Sequence, residues 1–268
     1  MYASNYLEEK ILNLMRGSSG GNFVAPSSLS LALFYSNPTD TGTAGTEASY
    51  QGYVRQTITF GAPTVSTSDS SILTMSNDTV ITFPEAVSAG QNVTHVAVYD
   101  QSNNMLLYSV LGTPLAIQAG ISPIFRVDSL KWTWSGNFSV YYRSLIMNTI
   151  RGANASISAF NPWIGLFIGN PYTSGTEVNK SDYQRFSVTM GAPTQNETSG
   201  VCKSVNVGDS DNVSVAAETN WGNVSYFGIM DAQTNGNIFA STALGATYNM
   251  LVGSVAGFHP GDLEVTIN

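Results

Sequence analysis

The strongest constraint on this chain is that it says the same thing twice. "NPTDTGTAGTEASYQGYVRQTITFGAPT" runs from Asn37 to Thr64, and "NPYTSGTEVNKSDYQRFSVTMGAPT" from Asn170 to Thr194. Both carry Asn-Pro, Gly-Thr-Glu, Tyr-x-Arg and Gly-Ala-Pro-Thr, in that order. The pairing continues on either side. Ile11-Leu12-Asn13 with Arg16-Gly17 matches Ile146-Met147-Asn148 with Arg151-Gly152, and Ala32-Leu33-Phe34 matches Gly165-Leu166-Phe167. "NVTHVAVYD" from Asn92 matches "NVSYFGIMD" from Asn223, and "MLLYS" at Met105 matches "NIFAS" at Asn237. "GISPIFRVDSLKWTWS" from Gly120 matches "GSVAGFHPGDLEVTIN" from Gly253. Copies of this length are domains, not the short stacked units of a solenoid. The expectation is two tandem homologous domains, 1–135 and 136–268, each closing its own apolar interior. With 268 residues and 43% hydrophobic content, the chain can supply both cores.

Each copy opens with a helical pattern. Tyr6, Leu7, Ile11, Leu14 and Met15 fall on one face, with Glu8, Glu9 and Asn13 off it; Tyr142, Leu145, Ile146 and Ile150 repeat the face. Ser4 or Asn5 suits the N-cap, and Gly17 and Gly152 suit the left-handed residue after the helix end. The rest reads as strands: "SLSLALFY", "YVRQTITF", "TVITF", "THVAVYD", "MLLYSVL" and "SLKWTWS", separated by Gly, Pro, Asn and Asp. Such spacing predicts a mainly β fold. It would be two antiparallel, jelly-roll-like β-sandwiches, each with a short N-terminal helix over an open edge.

Only 10% of residues are charged and the net charge is −8, without a Lys/Arg cluster. Phosphate binding needs concentrated positive charge, so nucleic acid is not an expected partner. No apolar run is long enough to span a membrane, and Glu8, Glu9 and Lys10 interrupt the N-terminal stretch that a signal peptide would need. Membrane insertion is therefore not expected, and manufacture in a cytoplasm is. Cys202 is the single cysteine and reads as a small core residue.

Catalytic signatures are missing from the pattern. His95 lies in a strand and His259 in a terminal turn, and neither stands beside metal-ligand spacing or a nucleophile elbow. No cofactor or metal is expected, and no enzyme activity. A pair of distant carboxylates, as in a glycosidase, stays open. Trp132 and Trp134 share one strand face and align with Val265 and Ile267, which favours core or inter-domain contact over a sugar platform. Trp163 and Trp221 carry no pattern.

In a chain so poor in charge, a repeated Glu and Arg need partners. Glu47 with Arg55, and Glu177 with Arg185, can pair across the base of the repeated loop. Two readings stand. One is a structural staple, with Tyr53 and Tyr183 packed over an apolar edge. The other is a binding loop, with those tyrosines stacking on sugar.

The helix, "ALFYSNPTDTGTAGTEASYQGYVRQTITFGAPT", "NVTHVAVYD" and "VDSLKWTW" together resemble a family of phage virion proteins labelled tail fibre or minor tail protein. The first copy keeps Gly45-Thr46-Glu47, Gly52-Tyr53-Val54-Arg55, Phe60-Gly61 and Val93-Thr94-His95-Val96. In the second copy Gly52, His95 and Phe60 give way to Asp182, Tyr226 and Met190, while Pro260-Gly261-Asp262-Leu263-Glu264-Val265 keeps the ending better. The resemblance implies a virion-assembly module located in the virion, with no enzyme activity. Its partners would be other virion proteins and copies of itself, at the tail, a collar or the capsid surface. The competing reading is a carbohydrate-binding module for a host surface glycan, which exposed aromatics on one loop face would favour.

Overall fold

A computed structural model of the chain describes residues 1–196, 199–208 and 214–267. In the first repeat the elements are β1 (Tyr2–Ala3), α1 (Asn5–Asn13), a 3-10 turn (Leu14–Ser19), β2 (Phe23–Val24), β3 (Leu29–Phe34), β4 (Gln56–Thr57), β5 (Thr64–Val65), β6 (Leu73–Ser76), β7 (Ile81–Thr82), β8 (Val93–Asp100), β9 (Met105–Leu115), β10 (Ile124–Phe125) and β11 (Lys131–Trp134). The second has α2 (Val140–Ile150), β12 (Ser156–Ile157), β13 (Trp163–Ile168), β14 (Thr176–Glu177), β15 (Phe186–Ser187), β16 (Thr189–Met190), β17 (Thr194–Asn196), β18 (Val201–Val207), β19 (Ser214–Ala216), β20 (Gly222–Met230), β21 (Ile238–Met250), β22 (Val255–Gly257) and β23 (Glu264–Ile267).

The fold is mainly β, with antiparallel pairing throughout, and the two repeats share one register. The larger sheet runs β1-β9-β8-β3-β4 in the first repeat; in the second, β13 pairs with β20 and β20 with β21, while β14 and β15 both pair with β13. Ser30 faces Thr57 in one copy and Trp163 faces Ser187 in the other. The smaller sheet is β11-β6-β5 in the first repeat and β18 flanked by β16, β17 and β23 in the second. Leu73 pairs with Trp134 there, as Cys202 pairs with Ile267. Even the irregularities recur: Val93 to His95 opposes Leu115 to Val110, and Val224 to Tyr226 opposes Tyr248 to Ala243, so β9 and β21 carry the same long bulge. Asn268, the last residue of the matched ending, lies outside the described residues.

The segment 53–60, expected as one long strand, pairs with the larger sheet only at Gln56–Thr57. It then crosses to the smaller sheet, where Phe60 bridges Asn77 and the Gly61 amide donates to the Ser76 carbonyl. It is a strap between layers, and that is why its apolar alternation outruns its ladder. Ser4 and Ser139 cap the helices by accepting from the Leu7 and Tyr142 amides. Gly152 follows the α2 end with φ +78°, as expected. Gly17 has φ +55° but does not follow the α1 end directly, because a 3-10 turn intervenes.

The helices do not cover an edge of their own sandwich alone. α1 packs on β1 and β9 of its own repeat and on β18 of the other, while α2 packs on β12 and β21 and reaches back to β6. The main apolar cluster accordingly draws on both repeats, and a smaller one, Ala32, Phe34, Ala97, Tyr99 and Met105, lies on the other face of β3 and β8. Leu7, Ile11 and Leu12 of α1, Leu31 and Leu33 of β3, Ile146 and Ile150 of α2, and Ile164 and Phe239 all belong to the main cluster. Because α1 is covered on two sides, Glu8, assigned above to the polar face, is fully buried. A short ladder, Val24 with Ser156 and Phe23 with Ile157, also joins the repeats. Met1, Trp132–Phe138, Thr266 and Ile267 line a cavity of about 390 Å³ where both repeats begin and end.

Candidate functional site

The repeated loop folds back onto the outer edge of β3 in the first copy and of β13 in the second. Phe34 bridges Glu47, and Phe167 pairs with Glu177. That register delivers each glutamate to the arginine of the strap. Arg55 Nε donates to Glu47 Oε1 at 2.8 Å and its second terminal nitrogen to Oε2 at 2.7 Å. Arg185 makes the same fork on Glu177, at 2.7 Å and 2.7 Å. Bidentate geometry of this sort fixes direction as well as distance. The remaining nitrogen of each arginine holds the adjacent hairpin. In the first copy it donates to Asn103 Oδ1; in the second it donates to the Ala232 and Asn235 carbonyls. Arg55 also lies over the Tyr99 ring, 3.9 Å from its centre.

Tyr53 and Tyr183 complete the cluster, and they point inward. Each hydroxyl donates to the glutamate Oε1, at 2.8 Å and 3.0 Å, and accepts a strand amide, from Leu33 and Leu166 respectively. Their rings pack in the interior, Tyr53 stacked 6.0 Å from Phe83 and Tyr183 edge-on 5.3 Å from Trp221. Burial works against ionisation of Glu47, but the Arg55 and Tyr53 hydrogen bonds outweigh it and hold the carboxyl below its ordinary value. The same burial, with the neighbouring carboxylate, pushes both tyrosines far above the usual phenol range.

Three further pairs escaped sequence reasoning. Asn77 and Asn206 are buried, and each carbonyl oxygen accepts one amide, from Leu130 and Leu263. Asn77 Nδ2 donates to the Arg126 carbonyl and Asn206 Nδ2 to that of His259, so each pins the terminal strand of its repeat. Asp100 and Asp231 each hold the hairpin Asn, at Asn104 and Asn237. The third is a compensation. Asp182, which looked like erosion of Gly52, accepts from the Trp221 indole at 2.9 Å and from the Glu218 and Thr219 amides. Trp221, read above as uninformative, stands where the first repeat has Gly90 and fills the space beside Tyr183.

The remaining candidates do not converge. His95 is half-buried, with Nδ1 2.8 Å from the Thr94 hydroxyl, and burial lowers its pKa. The His259 amide donates to Asp262. Among the described residues no three His, Cys, Asp or Glu side chains are grouped to hold a metal, and no helix is long and apolar enough to cross a membrane. Cys202 is a buried core thiol pushed up to about 12 by burial and by Glu8 and Glu9. Trp132 is buried and stacks on Trp134, 5.3 Å away, which in turn meets Phe138 of the second repeat.

Comparison with known proteins returns this duplication independently. The family described as podophage GP4 fiber I protein gp80 matches residues 2–133 and, a second time, residues 137–266. No curated protein matches the chain.

Proposed function

The chain belongs to the family of the podophage GP4 fiber I protein gp80, and on that premise we propose that it is a non-enzymatic component of a tailed-phage virion. It works at the tail or its fibres by docking onto other virion proteins and onto copies of itself. One observation carries this reading. In both repeats the conspicuous Glu, Arg and Tyr side chains close on one another at the base of the loop, which supports reading the Glu–Arg pairs as loop staples. Charge is sparse outside, and exposed apolar side chains stand in both repeats, among them Val87, Ile121 and Ile124 in one and Leu251, Val252 and Val255 in the other. We take the two units to be 1–135 and 136–268. Two related units in one chain offer two quasi-equivalent faces, so a ring can close with fewer subunits.

The test is to label the chain in intact particles and image it by electron microscopy. Label on the tail or fibres is the expected result. Label on the capsid or collar would move the protein to head decoration, and unlabelled particles would overturn the virion assignment. The glycan reading is weakened because Tyr53 and Tyr183 spend their hydroxyls on Glu47 and Glu177; exposed Tyr172, whose hydroxyl donates to the Asn137 carbonyl, is the aromatic at this loop that keeps it testable.

A further inference from the structure

We propose that Glu8 is a proton-controlled latch between the two repeats: as a neutral carboxylic acid it seals α1 against β18, and its ionisation loosens that seam. The geometry is specific. Glu8 is 0% exposed, and neither carboxyl oxygen has a hydrogen-bond partner among the described residues. Its helix lies between β1 and β9 of its own repeat and β18 of the other. The Asn5 carbonyl at the start of that helix accepts from Gln195 of β17, 2.9 Å away, so the seam is a direct contact between repeats.

Among the described residues, the charged and ionisable groups on the elements packed around Glu8 offer no counter-ion. Tyr2 stands on β1, Tyr108 on β9, Asp40 in the loop after β3, and Cys202 on β18. Glu9 and Lys10 follow on α1 itself. Lys10 is held over the Tyr6 ring, Arg16 of the 3-10 turn donates to Asn13, and Lys203 of β18 pairs with Glu264. The equivalent position in the second repeat makes the contrast. Arg143 is also buried, but it donates to the Ser71 and Trp134 carbonyls of the first repeat. A cation at this seam finds acceptors, whereas a carboxylate finds another acid.

Burial, and then the charge of Asp40, raise the Glu8 pKa from its ordinary 4.5 to about 9. A group raised in the folded state gives stability that is complete below 4.5. That stability drains as pH climbs and is gone above about 9. The test uses the full chain. Urea unfolding between pH 5 and 9.5 is compared for wild type, Glu8→Gln and Glu8→Leu. Relative to either variant, the wild-type unfolding constant should rise by up to about tenfold per pH unit. Hydrogen exchange should show α1 and β18 losing protection together while the β6–β11 ladder keeps its own. Parallel pH profiles for wild type and Glu8→Gln would overturn the latch. So would a Glu8 carboxyl carbon resonance titrating near 4.5 in the unmodified chain, a measurement that holds even if both variants misfold.

Discussion

Arg55 and Arg185 occupy the same place in two copies but not the same depth. The Arg185 side chain is 9% exposed and Arg55 27%. Removing Arg185 strands a half-buried carboxylate and two backbone carbonyls, which costs about 2–3 kcal/mol. Removing Arg55 breaks a wetter pair worth about 1 kcal/mol or less. Urea titration of Arg185→Ala and Arg55→Ala should give that order, and the reverse order would show that depth is not what sets their value. Glu47 adds a pH dependence of the opposite sign to that of Glu8. Its carboxyl is held below 4.5 by Arg55 and Tyr53, so its contribution is present above that value and lost as pH falls through the folded pKa. Between pH 5 and 3 the melting temperature of wild type should fall further than that of Glu47→Gln. These pairs were legible because charge is scarce here and a repeated Glu and Arg stand out. Asn77 and Asn206 were not. Asn is common throughout the chain, and a buried amide leaves no periodic trace in a sequence.

At the scale of elements, apolar runs found β3 and β8, which are buried on both faces, and alternation found β11, which buries one face only. It over-read residues 53–60, where apolar side chains face two different layers in turn and only Gln56–Thr57 joins the larger-sheet ladder. Pattern also misplaced Glu8. A polar stripe on a helix implies water on that side, and nothing local announces that a strand nearly two hundred residues downstream will cover it. The caps are local and were within reach: Ser139 accepts the Tyr142 amide at 3.1 Å. Ser139→Ala should lower stability by about 1 kcal/mol in urea unfolding. A null effect would mean that packing on β6, β12 and β21 alone fixes where α2 begins.

For the whole molecule, the repeat was visible from sequence and the shared interior was not, because homology reports common ancestry and is silent on who packs against whom. The reciprocal helix contacts make the two halves a built-in dimer. A protease site placed between Ser135 and Gly136, then cut, should leave fragments 1–135 and 136–268 eluting together from a sizing column in native buffer. Separate elution would mean that the common core is too weak to hold without the covalent joint. The arrangement also bears on biosynthesis. When the first repeat leaves the ribosome, the surface that will cover one side of α1 does not yet exist. At about 5–20 residues per second, β18 follows several seconds later. Until then the nascent chain shows bare leucine and isoleucine to the cell, and a chaperone that shields such a surface has its window there.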